Sequence, residues 1–82
     1  MMDSSSKDPR YEKFRRMLAA YRRKKQVTQT QLAKRLGRPQ SFVSKYENGQ
    51  RRLDLVEFLD VMAALEMSPC DFIEALLAEK DP

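Results

Sequence analysis

The chain has 82 residues, 41% of them hydrophobic and 34% charged, a composition for one small globular domain and not for a disordered chain. It has no histidine and one cysteine, Cys70, which excludes intrachain disulfides, zinc sites built from Cys and His, and any catalytic triad or dyad that needs His. The net charge of +4 divides unevenly: residues 1–52 carry 15 Lys/Arg and 4 Asp/Glu, a net of +11, whereas residues 53–82 carry 1 and 8, a net of −7. Such asymmetry suggests a side that faces a polyanion; the alternative is a dipolar surface that serves only solubility.

Val, Ile and Thr are few and no window alternates, so an all-α chain is expected. Residues 1–7 are polar and read as a tail; they lack the apolar core of a signal peptide. The first helix is expected to begin with Asp8 as N-cap and Pro9 in its first turn, to bury Phe14, Leu18 and Tyr21, and to close at Gln26. Arg23, Lys24 and Lys25 suit the negative end of its dipole and are open either to long-range attraction of a polyanion or to simple solvation. Thr28 with Gln31 fits a capping box for a second helix, Gln29 to Leu36, whose inner face is Leu32, Ala33 and Leu36. Gly37 ends it in a left-handed turn.

A third helix is expected from Pro39 to about Asn48, with Gly49 as its stop. Val43, Tyr46 and Glu47 share one face, and Gln40, Ser41, Ser44 and Lys45 lie largely on the other. A basic loop over residues 50–53 leads to Asp54 and Glu57, a second capping-box pair. The fourth helix would then bury a stripe of Leu55, Phe58, Leu59, Met62 and Leu65. Ser68 and Pro69 start a fifth, with Phe72, Ile73, Leu76 and Leu77 as its apolar face. Residues 80–82 read as a C-terminal tail, which leaves a domain over 8–79. No apolar stretch is long enough to cross a membrane, and a cytoplasmic protein without metal or cofactor is expected.

The Gly37-Arg38 link between two short helices has the spacing of a helix-turn-helix, here at 28–48. Ala33 permits close approach of the two helices, Gly37 permits positive φ, and Val43 fills the angle between them. The polar side of the third helix is left exposed on a rigid support, and a helix of this size fits the DNA major groove.

The run Val27-Thr28-Gln29-Thr30-Gln31-Leu32-Ala33, then Leu36-Gly37, Val43 and Tyr46-Glu47-Asn48-Gly49, resembles the phage-repressor-type family, the lambda-repressor-like, xenobiotic-response-element class of regulators. The resemblance covers about residues 14–75. It implies a five-helix all-α fold and sequence-specific binding of double-stranded DNA, usually as a two-fold homodimer on a pseudo-palindromic operator. Gln26 and Glu66 depart from it, standing where the family often has Gly.

The resemblance also implies roles. Gln40 and Ser41 would enter the major groove first, and a Gln amide can donate to adenine N7 and accept from its N6 amine. Lys45, one turn on, would reach guanine or a phosphate, with Ser44 a further base-reading candidate. Three roles are open to Phe42: contact with a thymine methyl, contact with a partner side chain, or packing against the loop or the fourth helix. Gln29 corresponds to the family's phosphate clamp at a helix N-terminus, and Asn48, Arg51 and Arg52 to its second clamp, with Arg38 as an addition. Glu47 would repel DNA if it faced outward; the resemblance pairs it with Arg22 as a partly buried ion pair. Met67, Ile73, Leu76 and Leu77 are candidates for the dimer interface, which would set the recognition helices about 34 Å apart. Cys70 is open to redox chemistry or to packing.

The function expected is a DNA-binding transcriptional regulator, of repressor type. The alternative is a protein-interaction module or antitoxin-type partner binder on the same fold. An enzyme is disfavoured by the absence of His, of a Gly-rich phosphate loop and of paired acids in a cleft.

Overall fold

Each helix begins where its first amides find an acceptor. A computed structural model describes residues 8–78, so the expected tails at 1–7 and 80–82, and the last residue of the expected domain, lie outside the described residues. The five helices are α1 (Pro9–Lys24), α2 (Gln29–Leu36), α3 (Gln40–Glu47), α4 (Leu55–Ala64) and α5 (Pro69–Leu77), with no strand among the described residues. Asp8 accepts from the Arg10 amide at 2.8 Å. Thr28 with Gln31 and Asp54 with Glu57 form complete capping boxes, each satisfying two amides reciprocally. Ser68 caps α5.

The third helix differs from expectation by one residue at each end. Pro39 is its N-cap, extended at ψ 153°, and Asn48 its C-cap. Pro39 offers no side-chain cap, and its carbonyl accepts from the Phe42 amide at 2.9 Å.

Four helix ends close the same way, with a left-handed residue after the last turn. Gly37 (φ 68°) and Gly49 (φ 88°) serve α2 and α3; Gln26 (φ 60°) and Glu66 (φ 56°) serve α1 and α4. At α1 the amides of Gln26 and Val27 return to the carbonyls of Arg23 and Arg22; at α4 those of Glu66 and Met67 return to Ala63 and Met62. This is the Schellman pattern, which satisfies carbonyls that the helix leaves open. α1 therefore ends at Lys24, two residues before the Gln26 expected from sequence.

The core joins Met17 and Leu18 of α1, Leu32 and Ala33 of α2, Val43 and Tyr46 of α3, Phe58, Val61, Met62 and Leu65 of α4, and Phe72 of α5. Phe72 anchors one end in edge-on contacts with Phe14 and Phe58 at 5.8 and 5.2 Å between ring centres. The α4 stripe needs correction: Leu55 and Leu59 are 68% and 42% exposed, and Val61 is buried in their stead. The helix turns the Phe58–Val61–Met62–Leu65 line inward, against α2, and Leu55 and Leu59 lie to one side of that line. On α5 only Phe72 is buried; Ile73 and Leu77, expected on its apolar face, are exposed, and Leu76 is half-buried.

The two oppositely charged halves meet at helix C-termini. Neither α4 nor α5 has a basic residue in its last turn. Basic side chains of α1 and α2 and of the α1 C-cap supply it: Arg35 donates to the Ala64 carbonyl at 2.9 Å, Lys25 to that of Glu66 at 3.3 Å, and Lys13 to that of Ala78 at 2.6 Å. Such placement satisfies open carbonyls and complements the negative end of the helix dipole. No helix among the described residues is long and apolar enough to cross a membrane.

Candidate nucleic-acid interface

The buried Val43 and Tyr46 hold α3 against the rest of the domain and leave its other side outward. Gln40, Ser41 and Lys45 are exposed there, and Ser44 is half-buried beside them. These four of the five sequence-selected base readers share one surface. Phe42, the fifth, is in the core at 8% exposure, edge-on to Tyr46 at 5.5 Å. Its position is that of the packing role. Three residues from Lys45 and one turn from Tyr46, its ring borders the exposed surface from below.

A chain of hydrogen bonds braces one edge of this surface. Arg22 is buried and holds Glu47 through two bonds, Nε to Oε2 at 2.7 Å and Nη2 to Oε1 at 3.1 Å. Its Nη1 donates to the Val27 carbonyl at 2.8 Å. The pair so formed strengthens the guanidinium's hold on its proton, chiefly through the bonds it donates to Glu47. Glu47 Oε1 also accepts from Gln29 Nε2 at 2.9 Å, and Gln29 Oε1 accepts from Gln40 Nε2 at 2.7 Å. The first residue of α3 is thereby fixed to the first residue of α2 and, through it, to a buried ion pair under α1. The Gln29 and Gln40 amides, 11 residues apart in sequence, act as one unit.

The other edge carries a second charged cluster. The guanidinium carbons of Arg38, in the turn before α3, and Arg51, in the loop after it, lie 4.3 and 4.7 Å from the centre of the Phe42 ring. Arg51 grips Glu57 with both terminal nitrogens, at 2.9 and 2.8 Å, and Arg38 reaches Glu57 Oε2 at 3.3 Å. The Arg51 bonds, and then the Asp54 amide, hold the Glu57 carboxyl down at about 2, far below the usual carboxylate range. Both arginines flank α3, one in the turn before it and one in the loop after it, and each is engaged within the protein.

Asn48 is exposed and its side chain closes its own turn, bonding Gln50 through the amide at 3.0 Å and the side chain at 3.1 Å. Arg52 is exposed. Of the residues expected at a dimer interface, Ile73 and Leu77 are 41% and 74% exposed, and Met67 and Leu76 are half-buried and packed against the core. Cys70 is a free, exposed cysteine in the first turn of α5.

Two participants were not selected from sequence. Glu57 was recognised only as a cap; nothing in its spacing signals that its carboxylate also gathers arginines 6 and 19 residues away. Arg15 donates to the Glu47 carbonyl at 3.3 Å and lies against Gly49, where an added Cβ would approach its guanidinium to 3.1 Å. Its position near Phe14 in the sequence gave no sign of this contact. Gly49 therefore meets two demands, a positive φ and a close neighbour, of which only the first is legible in a helix stop.

A family described as a helix-turn-helix domain matches residues 13–75, most of the chain. An XRE-family like protein from Pseudomonas syringae pv. tomato str. DC3000 is similar in structure at a TM-score of 0.81 and is 40% identical in sequence. The match covers 90% of this chain and 94% of that one. No curated protein sequence matches the chain. The helix order, the tight turn before α3 and the outward polar surface agree with these likenesses: the chain belongs to the lambda-repressor-like, XRE-type helix-turn-helix family of DNA-binding regulators.

Proposed function

We propose that the chain is a sequence-specific transcriptional repressor that reads a pseudo-palindromic operator as a homodimer. In this reading α3 lies in the major groove, where Gln40 and Ser41 address base edges and Lys45 addresses a guanine or a phosphate, with Ser44 between them. Gln29 at the α2 N-terminus grips one phosphate backbone, and Asn48, Arg51, Arg52 and Arg38 grip the other. Phe42 serves as the platform under Arg38 and Arg51. Dimerisation through the exposed Ile73 and Leu77, with Leu76 and Met67 at the rim, sets two such surfaces one helical turn apart. Repression follows from occupancy, since a bound dimer excludes other proteins from its site.

The observation that carries this reading is the bracing of Gln40. An exposed glutamine loses side-chain entropy when it is ordered, so a solvated surface residue gains little from being held. Here the Gln29 amide, itself bonded to a buried ion pair, holds it at the leading end of an outward polar helix. Pre-arranged donors and acceptors are what base recognition needs, because the ordering is then complete before binding.

Selection of bound sites from random duplex DNA tests it. An inverted repeat with half-sites about 34 Å apart is expected, with affinity that falls steeply as salt rises. Gln40→Ala should relax the preference at about one base pair per half-site, and Gln29→Ala should weaken binding to every sequence. Because the two amides are bonded, their effects should not add. No enriched sequence, or affinity that is flat in salt, would overturn the proposal.

A further inference from the structure

Two guanidiniums on one small ring repel each other, and their gathering needs a counter-charge. Glu57 supplies it from the first turn of α4. Its Oε1 accepts from the Asp54 amide at 3.1 Å and from Arg51 at 2.9 Å; its Oε2 accepts from Arg51 at 2.8 Å and Arg38 at 3.3 Å. One carboxylate thus ties the turn before α3 to the loop after it and fixes both to the start of α4. The cluster of Arg38, Arg51 and Glu57 carries a net charge of +1 where two arginines alone would carry +2.

We propose that Glu57 governs the strength of sequence-independent DNA binding, by cancelling one charge of the Arg38–Arg51 pair while it holds the pair at the edge of the α3 surface. The inference rests on the DNA-reading function proposed above. Three observations support it. The cluster borders the exposed surface of α3 through Phe42, three residues from Lys45. Each guanidinium keeps donors beyond those given to Glu57: Arg51 uses its two terminal nitrogens on Glu57 and the Arg52 carbonyl, and Arg38 uses one. A phosphate can therefore be bound without breaking the cluster apart. Finally, sequence-independent affinity follows the number of phosphates that the protein neutralises, so a carboxylate within the pair lowers affinity for every duplex alike. Glu57 touches no base in this arrangement, so it does not alter discrimination. Its effect is to keep the domain from being held on unrelated DNA.

The test uses Glu57→Gln in the full chain. Glutamine keeps an acceptor for the Asp54 amide and so preserves the start of α4; the charge is lost, and with it the Oε2 acceptor, where an NH2 group now faces Arg51 and Arg38. The probes are sheared mixed-sequence duplex DNA and a duplex recovered by site selection, each titrated across a range of salt. Glu57→Gln should bind both probes more tightly by the same factor, roughly fourfold to tenfold per protomer at low to moderate salt. The slope of log affinity against log salt should steepen by about 0.9 per protomer. With Arg51→Gln as background, the gain from Glu57→Gln should shrink, because half of the pair it restrains is gone.

Unchanged or weaker binding by Glu57→Gln, while the unmodified chain binds both probes, would overturn the inference and leave the DNA reading intact. So would a gain of full size in the Arg51→Gln background, since the charge would then act independently of the cluster. An unmodified chain that binds neither probe would overturn the DNA reading, and this inference with it. That result is distinguished from the others because it needs no variant.

Discussion

Glu47 is an acid on the helix proposed to enter a polyanion, and its environment shows why it is tolerated. Its charge is taken up by the buried Arg22, and one of its oxygens is passed on to Gln29 and thence to Gln40. Arg22→Ala would leave that carboxylate buried without its partner. The expected cost is about 3–5 kcal/mol of stability, measured by urea unfolding. Arg22→Met with Glu47→Leu should recover much of that loss, because no charge is then left stranded. It should not recover tight duplex binding, because Gln29 has lost its acceptor. A double variant that binds as the unmodified chain does would show that the bracing of Gln40 is unimportant. At this scale the sequence located the outward residues Gln40, Ser41 and Lys45 from periodicity alone. It did not locate the contacts of Glu57 and Arg15, which join residues far apart in the chain through the direction of long side chains.

At the scale of elements, the helices are set by their ends. Four of them close with a left-handed residue, and at two of these the residue has a side chain, Gln26 or Glu66. For an L-residue that conformation costs about 1–2 kcal/mol relative to the right-handed one. Both have polar, exposed side chains, and the amide bonds that follow keep the turn in place. Gln26→Gly and Glu66→Gly should each stabilise the domain by about 0.5–1 kcal/mol, part of the strain relieved being offset by a more flexible unfolded chain. Thermal unfolding should record a rise of about 2–8 °C for each. A fall in midpoint for both would mean that the strain is smaller than the entropy lost. Gly49→Ala should act in the opposite direction, since its methyl would press on Arg15 at 3.1 Å in a strained backbone. The capping boxes and the two glycine stops were legible because each uses local bonds. The buried side of α4 was not, because Leu55 and Leu59 are as apolar as Val61. Only the rotation of the helix against its neighbours decided among them.

For the whole molecule, the uneven charge becomes a division of surfaces that is also a means of attachment. The basic half presents α2 and α3, and three of its cations bond the carbonyls that end α4 and α5. The acidic half presents instead an apolar margin: Leu55, Val56 and Leu59 on α4, Ile73 and Leu77 on α5. Pairing through α5 would remove part of that margin from water. Sedimentation at micromolar concentration should show a two-fold assembly, and Ile73→Lys with Leu77→Lys should reduce it to monomers that retain helical content. Operator affinity should fall in step, as each half-site is then bound singly. A monomer in the unmodified chain, with or without DNA, would exclude this arrangement.

The sequence by itself determined the class of fold, the order of the helices, where most of them begin, and which side of α3 faces outward. These follow from caps, glycines and helical periodicity, all of which act over a few residues. Tertiary structure decided which carboxylate holds which guanidinium, which apolar residues α4 hides, and that Phe42 is buried beneath two arginines. Those outcomes depend on how helices rotate and approach one another, and a helix with apolar residues on more than one side does not specify that rotation alone. The net charge of +4 is the least informative sum; placed on the fold, it separates into a basic half with a braced α3 surface and an arginine pair held by Glu57, and an acidic half that carries an apolar margin.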